Sequence, residues 1–426
     1  MQMAIAGFAL GGVAFGPQPL LHAVASEIMP RKYRSFAQAA IMSSISIGAI
    51  MSLTIGGALT EHDPAGFRTY WYICGGIFVF AAVLIGVLYN PAPRELQITL
   101  TQREKLGMLD WWGLLLFIVG LVLFCLGLSY SQNPFSWSDA HVAAPFALGC
   151  AFILALIVYE WKYKRDGLFH HDLFRNRNFA LSLAGIWIEG FVFMAANLWF
   201  PYSMQVLLAG QVSTFRVLLC YCVAWAMLLV GAFVMGVWIY KTRTVRIPAI
   251  IAFISFLIFC VLMATVDATE RESNFWGYIV FYGWGLGAVM ITLYTTAQLS
   301  TPPQHIALAT SLVSSIRSVG GSVAIAVQTA IFTNGLTANL YPKVATAIAP
   351  FGVTSPEEVG AVIAGLSAGD IAGLLELPGM NQDAVGAAGL ALKQAYAIGF
   401  RYPYVCAGAF SLLAIIRRLA PMTPNS

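Results

Sequence analysis

Residues 7–34 read GFALGGVAFGPQPLLHAVASEIMPRKYR, and this stretch decides the fold. No charge falls between Gly7 and Glu27, a run matching the roughly 20 apolar residues that a helix needs to cross a bilayer. The basic cluster Arg31, Lys32 and Arg34 closes it, as expected where a span meets the inner membrane surface. The apolar run is too long for a cleavable signal and no basic segment precedes it, so it reads as a membrane helix.

Similar runs recur along the chain at residues 36–60, 70–89, 112–130, 142–161, 180–200, 217–240, 247–266, 276–299, 309–332 and, shorter, 402–416. With the first run they predict an all-α membrane protein of about eleven transmembrane helices. Composition agrees: 59% of the 426 residues are hydrophobic and 10% are charged, where a soluble domain carries roughly 25% charged residues. The net charge of +4 comes from short clusters, none long enough to track a nucleic-acid backbone. The seven cysteines lie in apolar runs without a CxxC pair and read as packing residues, with no metal implied.

Orientation follows from lysine and arginine. If the first helix runs inward, the inside loops hold Arg31, Lys32 and Arg34; Arg94, Arg103 and Lys105; Lys162, Lys164, Arg165, Arg175 and Arg177; Lys241, Arg243 and Arg246; and Arg417 and Arg418. The outside keeps Arg68, Arg216, Arg271, Lys343, Lys393 and Arg401. Met1 is therefore expected outside and Ser426 inside. An odd helix count with termini on opposite sides suggests helices missing in front, because transporter folds are commonly built from paired repeats. Residues 1–90 read as the remainder of an N-terminal bundle, 91–178 as a linker with an additional helix pair, and 179–426 as a C-terminal bundle. Residues 333–401 read as a long outside loop with short amphipathic helices, interrupted by Pro342, Pro350, Pro356 and Pro378.

Two charges fall deep inside apolar runs, where each costs about 2.5–3.5 kcal/mol on insertion scales. Glu189 has no basic neighbour in sequence; an isolated carboxylate in hydrocarbon favours its neutral form and would suit a proton carrier or the counter-ion of a cationic substrate. Arg317 suits an anion contact or a carboxylate partner. Glu27 and Arg34, beside Arg31, suit an ion-pair network at the inner mouth. Gly56, Gly57, Gly320 and Gly321, with Gly11, Gly12, Gly16 and Gly48, suit close helix packing or sliding. Trp187, Asn197, Gln298 and Gln328 are candidates for a cavity lining. Each of these also has a plain packing reading. The ionisable groups are too scattered for a membrane enzyme.

The ending Glu27-x-x-Pro30-x-x-x-Arg34, the segment Asp110-Trp111-Trp112-Gly113, Asn133-Pro134-Phe135-Ser136-Trp137 and Ser315-Ile316-Arg317-Ser318-Val319-Gly320-Gly321-Ser322 together resemble the major facilitator superfamily. Within it the chain is similar to the fourteen-helix drug:proton antiporters, and above all to their fungal branch of trichothecene-type toxin efflux pumps and siderophore transporters. The resemblance implies alternating access, no cofactor and a place in the plasma or vacuolar membrane. Its partners would be a small-molecule substrate, protons and the lipid bilayer. The cargo would be a hydrophobic or amphiphilic toxin or drug, or a siderophore-iron chelate. The resemblance also starts this chain at the fourth family helix, so a truncated, non-transporting fragment is a further reading. The family's fourth-helix arginine is matched by Phe8, and the fifth-helix Gly-Pro-x-x-Gly-Gly keeps only Gly56 and Gly57 at its end. Proton coupling would then fall to another group, with Glu189 best placed.

Overall fold

The computed structural model describes residues 2–63, 65–88, 101–107, 109–131, 135–164, 167, 171–302, 305–377 and 379–419. Pro134, His170, Pro378 and residues 91–100 lie outside these, as do the side chains of Phe8, Glu27, Arg31, Lys105, Arg417 and Arg418. The expectations placed on Phe8, on Glu27 and on the Asn133-Pro134 motif therefore fall outside the described residues.

The first apolar run is two helices rather than one, α1 (Gln2–Phe15) and α2 (Gln18–Ile28). The break falls at Gly16-Pro17, where proline lacks an N–H and its ring clashes with the preceding turn. Next come α3 (Arg34–His62), α4 (Gly66–Leu88), α5 (Trp111–Tyr130), α6 (Ala140–Lys162), α7 (Arg177–Leu207) and α8 (Thr214–Thr242). The chain ends with α9 (Arg246–Ala264), α10 (Glu272–Leu299), α11 (Ile306–Ile348), α12 (Pro356–Ala368) and α13 (Gln382–Leu419). Several start on a side-chain cap that accepts an orphan backbone N–H: Asp110 for α5, Asp139 for α6, Asn176 for α7 and Ser213 for α8.

Among the described residues ten helices are long and apolar enough to cross a membrane: α3 to α11 and α13. The expected eleven become ten continuous helices and one broken at Gly16-Pro17. Helices α7 to α11 and α13 share one large core that includes Phe200, Phe253, Phe256, Phe259, Tyr282 and Tyr404. Helix α3 joins it along α8, where Ser46 donates to the Trp225 carbonyl. A Cβ on Gly57 would run into the Phe215 ring. Helices α5 and α6 form a hairpin joined backbone to backbone at Gly120, Gly127 and Gly149, and α5 touches α11.

The expected outside loop is corrected. Helix α11 runs on through Pro342 to Ile348, and α13 begins at Gln382, so the last span is 38 residues long rather than short. Leu340, Val344 and Ile348 keep a four-residue spacing and pack with α12, Leu374 and Ala384 in a second, smaller core. Thr337 and Thr346 turn their hydroxyls onto carbonyls one turn back, so the polar residues do not interrupt the helix.

Candidate functional site

The packing of α7 on α11 is set by two glycines. A Cβ on Gly190 would collide with the Arg317 carbonyl oxygen, and one on Gly320 with the Trp187 carbonyl oxygen. Only glycine permits that backbone approach. Gly321 lies against Met194 and Gly56 against the Tyr70 ring at ordinary or slightly tight distances, whereas a Cβ on Gly11, Gly12 or Gly48 would meet nothing within 4 Å. Among the described residues, then, no atom stands close enough to those last three to require glycine.

Beside this crossing Glu189 and Arg317 meet. Arg317 Nε donates to Glu189 Oε2 at 2.7 Å and Nη2 donates to Oε1 at 2.9 Å, a two-pronged geometry that matches the planar guanidinium to the carboxylate. Glu189 is 0% exposed and Arg317 23%. Glu189 is twelve residues past Arg177 and Arg317 eleven past Ile306, about 17 Å along each helix at 1.5 Å per residue. Both helices start from the same side, so the charges meet at one depth, near mid-membrane. The isolated carboxylate expected from sequence is corrected: its partner lies 128 residues away.

The pair has an aromatic and polar surround, in which Asn197, a cavity candidate from the sequence, is joined by Phe193 and by Tyr282. The Arg317 guanidinium sits over the Phe193 ring, 4.4 Å from its centroid. Glu189, Phe193 and Asn197 repeat every four residues on one face of α7. Asn197 donates to the Phe193 carbonyl at 2.8 Å and reaches the Tyr282 hydroxyl of α10 at 3.5 Å.

The remaining candidates are placed elsewhere. Gln328 is fully buried; it accepts from Trp199 Nε1 at 3.0 Å and donates to the Phe191 carbonyl at 3.2 Å, which ties α11 to α7. Trp187 lines an apolar groove with Phe410 and Leu413 between α7 and α13. Gln298 belongs to a second polar cluster toward the inner end. There His22 of α2 bonds Gln38 of α3 at 2.6 Å and stacks on Tyr294 of α10 with centroids 4.5 Å apart. Gln38 Nε2 donates to Gln298 Oε1 at 3.5 Å, and Gln298 donates to Thr310 Oγ1 at 3.3 Å. Tyr294 and Ser314 hydroxyls are 3.0 Å apart. Thr310, Ser314 and Arg317 lie on one stripe of α11, and Arg317 is within electrostatic range of His22. This cluster joins helices of the first part of the chain to those of the second. Arg34 is buried at the start of α3.

A chain of apolar spanning helices with a buried ion pair and a polar cluster between its two parts has the build of a polytopic membrane protein. Residues 1–325 match the family model described as Major Facilitator Superfamily, and the chain belongs to that family. It is similar to fungal proteins: an MFS-type transporter, TOXA, of Cochliobolus carbonum, 27% identical over 79% of this chain and 60% of that protein; a rubrofusarin-specific efflux pump, aurT, of Gibberella zeae, 25% identical over 79% and 60%; and an efflux pump, FUS6, of Gibberella moniliformis, 24% identical over 68% and 50%. The chain spans about half to three-fifths of the length of these relatives. It is a multi-pass, all-α membrane protein.

Proposed function

We propose that this chain carries the working parts of a secondary transporter that exports a hydrophobic or amphiphilic small molecule by alternating access, driven by protons, at the plasma membrane. Residues 1–90 and 179–426 are the two moving parts, and 91–178 links them with its helix pair. The observation that carries this reading is the Glu189–Arg317 pair at mid-depth. A charge there is costly unless it has work to do, and a neutral pair satisfies both groups while it stays closed. A proton delivered to Glu189 removes its negative charge and frees the guanidinium, which the Phe193 face can hold by cation–π attraction. The His22–Gln38–Gln298 cluster then acts as an inner latch, which must part for the cavity to face inward.

The test is transport by the chain in proteoliposomes, with a panel of labelled amphiphilic toxins and a ferric siderophore under an imposed proton gradient. Gradient-dependent movement of an amphiphile, lost on Arg317→Ala, supports the proposal. Movement of the siderophore alone would reassign the cargo, and no movement of any compound would mark the chain as a non-transporting fragment.

A further inference from the structure

A cavity of about 340 Å³ lies away from the ion pair, at the inner end of the seam between α3, α8 and α10. Its polar lining is Lys32, Ser35, Tyr240, Arg243 and Thr295, with Leu299 among its apolar walls. Among the described residues no carboxylate lines it. Two cations facing one cavity attract an anion.

Three further features sharpen that expectation. Helix α3 begins after Tyr33 with no side-chain cap, and Ser35 of its first turn is buried at the cavity wall. A 3-10 turn at Arg31–Tyr33 leads directly into α3, and the dipole of the long helix presents its positive end to an anion on that side. Thr295 is 2% exposed and its hydroxyl has no hydrogen-bond partner. A buried polar atom left unpaired is costly, and this one lines the cavity. Arg243 closes α8 in the left-handed backbone region at φ 55°, its N–H bonded to the Ile239 carbonyl at 2.9 Å. Non-glycine residues enter that region at a cost that functional sites tolerate, and here it turns the chain so that Arg243 lines the cavity. Lys32 Nζ stands 5.5 Å from the centroids of both Tyr33 and Tyr240, held at the cavity edge.

We propose that this cavity binds a phosphate group. Its walls come from within about a turn of three span ends, Ser35, Tyr240 and Leu299, which is headgroup depth, and the loops assign that side to the inside. An anionic phospholipid of the inner leaflet supplies phosphate at that depth, and basic residues near such a surface attract it. A free phosphate offers the same chemistry without a tail. Either ligand bridges α3 to α8 and α10, and so holds the two parts of the chain together on the inner side. Thr295 donates its hydroxyl proton to the ligand, and Lys32 and Arg243 supply the charge.

The experiment measures binding to the purified chain in neutral detergent by native mass spectrometry, with phosphatidic acid, phosphatidylcholine and inorganic phosphate as separate probes. Phosphatidic acid is expected to bind at least tenfold more tightly than phosphatidylcholine. The double variant Lys32→Gln/Arg243→Gln should lose that preference. Thr295→Val should weaken phosphatidic acid several-fold without lowering the melting temperature of the lipid-free chain, because the hydroxyl has no protein partner to lose. Competition by inorganic phosphate at comparable concentration would support the site and name the free anion as its ligand. Equal binding of the two lipids with no phosphate bound, or undiminished preference in the double variant, would overturn the proposal. So would full phosphatidic acid affinity in Thr295→Val.

Discussion

Helices α4 and α10 invert the usual relation between apolar composition and burial. The most apolar stretch of α4 has a mean hydropathy of 2.3 and none of it is buried, whereas that of α10 has 1.4 and 67% of it is buried. In water the greasier helix would be inside. In a bilayer, lipid solvates aliphatic side chains as well as protein does, so packing is driven by close approach and hydrogen bonding. Helix α10 has the means for both. Gly283 and Gly287 sit against backbone atoms of α8 at Ala224 and Leu228, and Thr292, Thr296 and Gln298 are buried. A Cβ on Gly75, Gly76 or Gly86 of α4 would meet nothing within 4 Å. Stability should therefore concentrate in α7 to α11 and α13, and α4 should tolerate change.

The largest effect that separates the two regions is expected at the ion pair. Glu189→Ala leaves Arg317 without its carboxylate and should cost about 3–5 kcal/mol, the usual penalty for breaking a buried pair. Arg68→Ala at the exposed start of α4 should cost under about 0.5 kcal/mol. Denaturant unfolding of the purified variants checks both, and equal losses would break the contrast. Next is the crossing of α7 and α11. Gly320→Leu forces a side chain into the Trp187 carbonyl and should cost about 3 kcal/mol as overpacking; Gly75→Leu should leave the melting temperature unchanged. Gln328→Leu strands the Trp199 N–H and the Phe191 carbonyl, at about 1–3 kcal/mol, read from the same unfolding curves.

The smallest effect lies between the two regions, at the cap of α5. Asp110 accepts from the Gly113 N–H at 3.0 Å and from the Tyr159 hydroxyl at 3.1 Å. Burial pushes its carboxyl up, but these hydrogen bonds, together with Glu160 and Lys164, outweigh it and leave the carboxyl below its ordinary value. A lowered native value means stability that is complete above the ordinary carboxylate range near pH 4 and lost as pH falls through the lower native value. Asp110→Ala should cost about 1 kcal/mol at neutral pH and flatten the acid limb of a stability profile. An unchanged limb would show that the cap contributes nothing.

Much of this was legible in the sequence, because apolar length and charge position are local. The spans follow from runs near 20 residues, and Glu189 and Arg317 stand out as rare charges within them. Their pairing was not legible, since nothing local relates residues 128 positions apart. The extensions of α11 and α13 were hidden by Thr, Asn, Gly and Pro, although Leu336, Leu340, Val344 and Ile348 kept a helical spacing through them. The phosphate cavity was invisible for the same reason as the pair: Lys32, Arg243 and Thr295 come from three helix ends. The inner cluster was half visible, in that Gln298 was singled out while Gln38, Tyr294 and Ser314 were not.

The measurement that bears most directly on the Glu189–Arg317 pair as the proton-responsive element is uphill transport by Glu189→Gln in proteoliposomes. Glutamine keeps size and hydrogen bonding but cannot titrate. The expected result is that proton-driven accumulation against a gradient stops, while downhill exchange of the same substrate continues at a rate comparable to the parent chain. Uphill pumping by Glu189→Gln with an unchanged pH dependence would contradict the proposal and leave the pair as a packing element of the α7–α11 crossing.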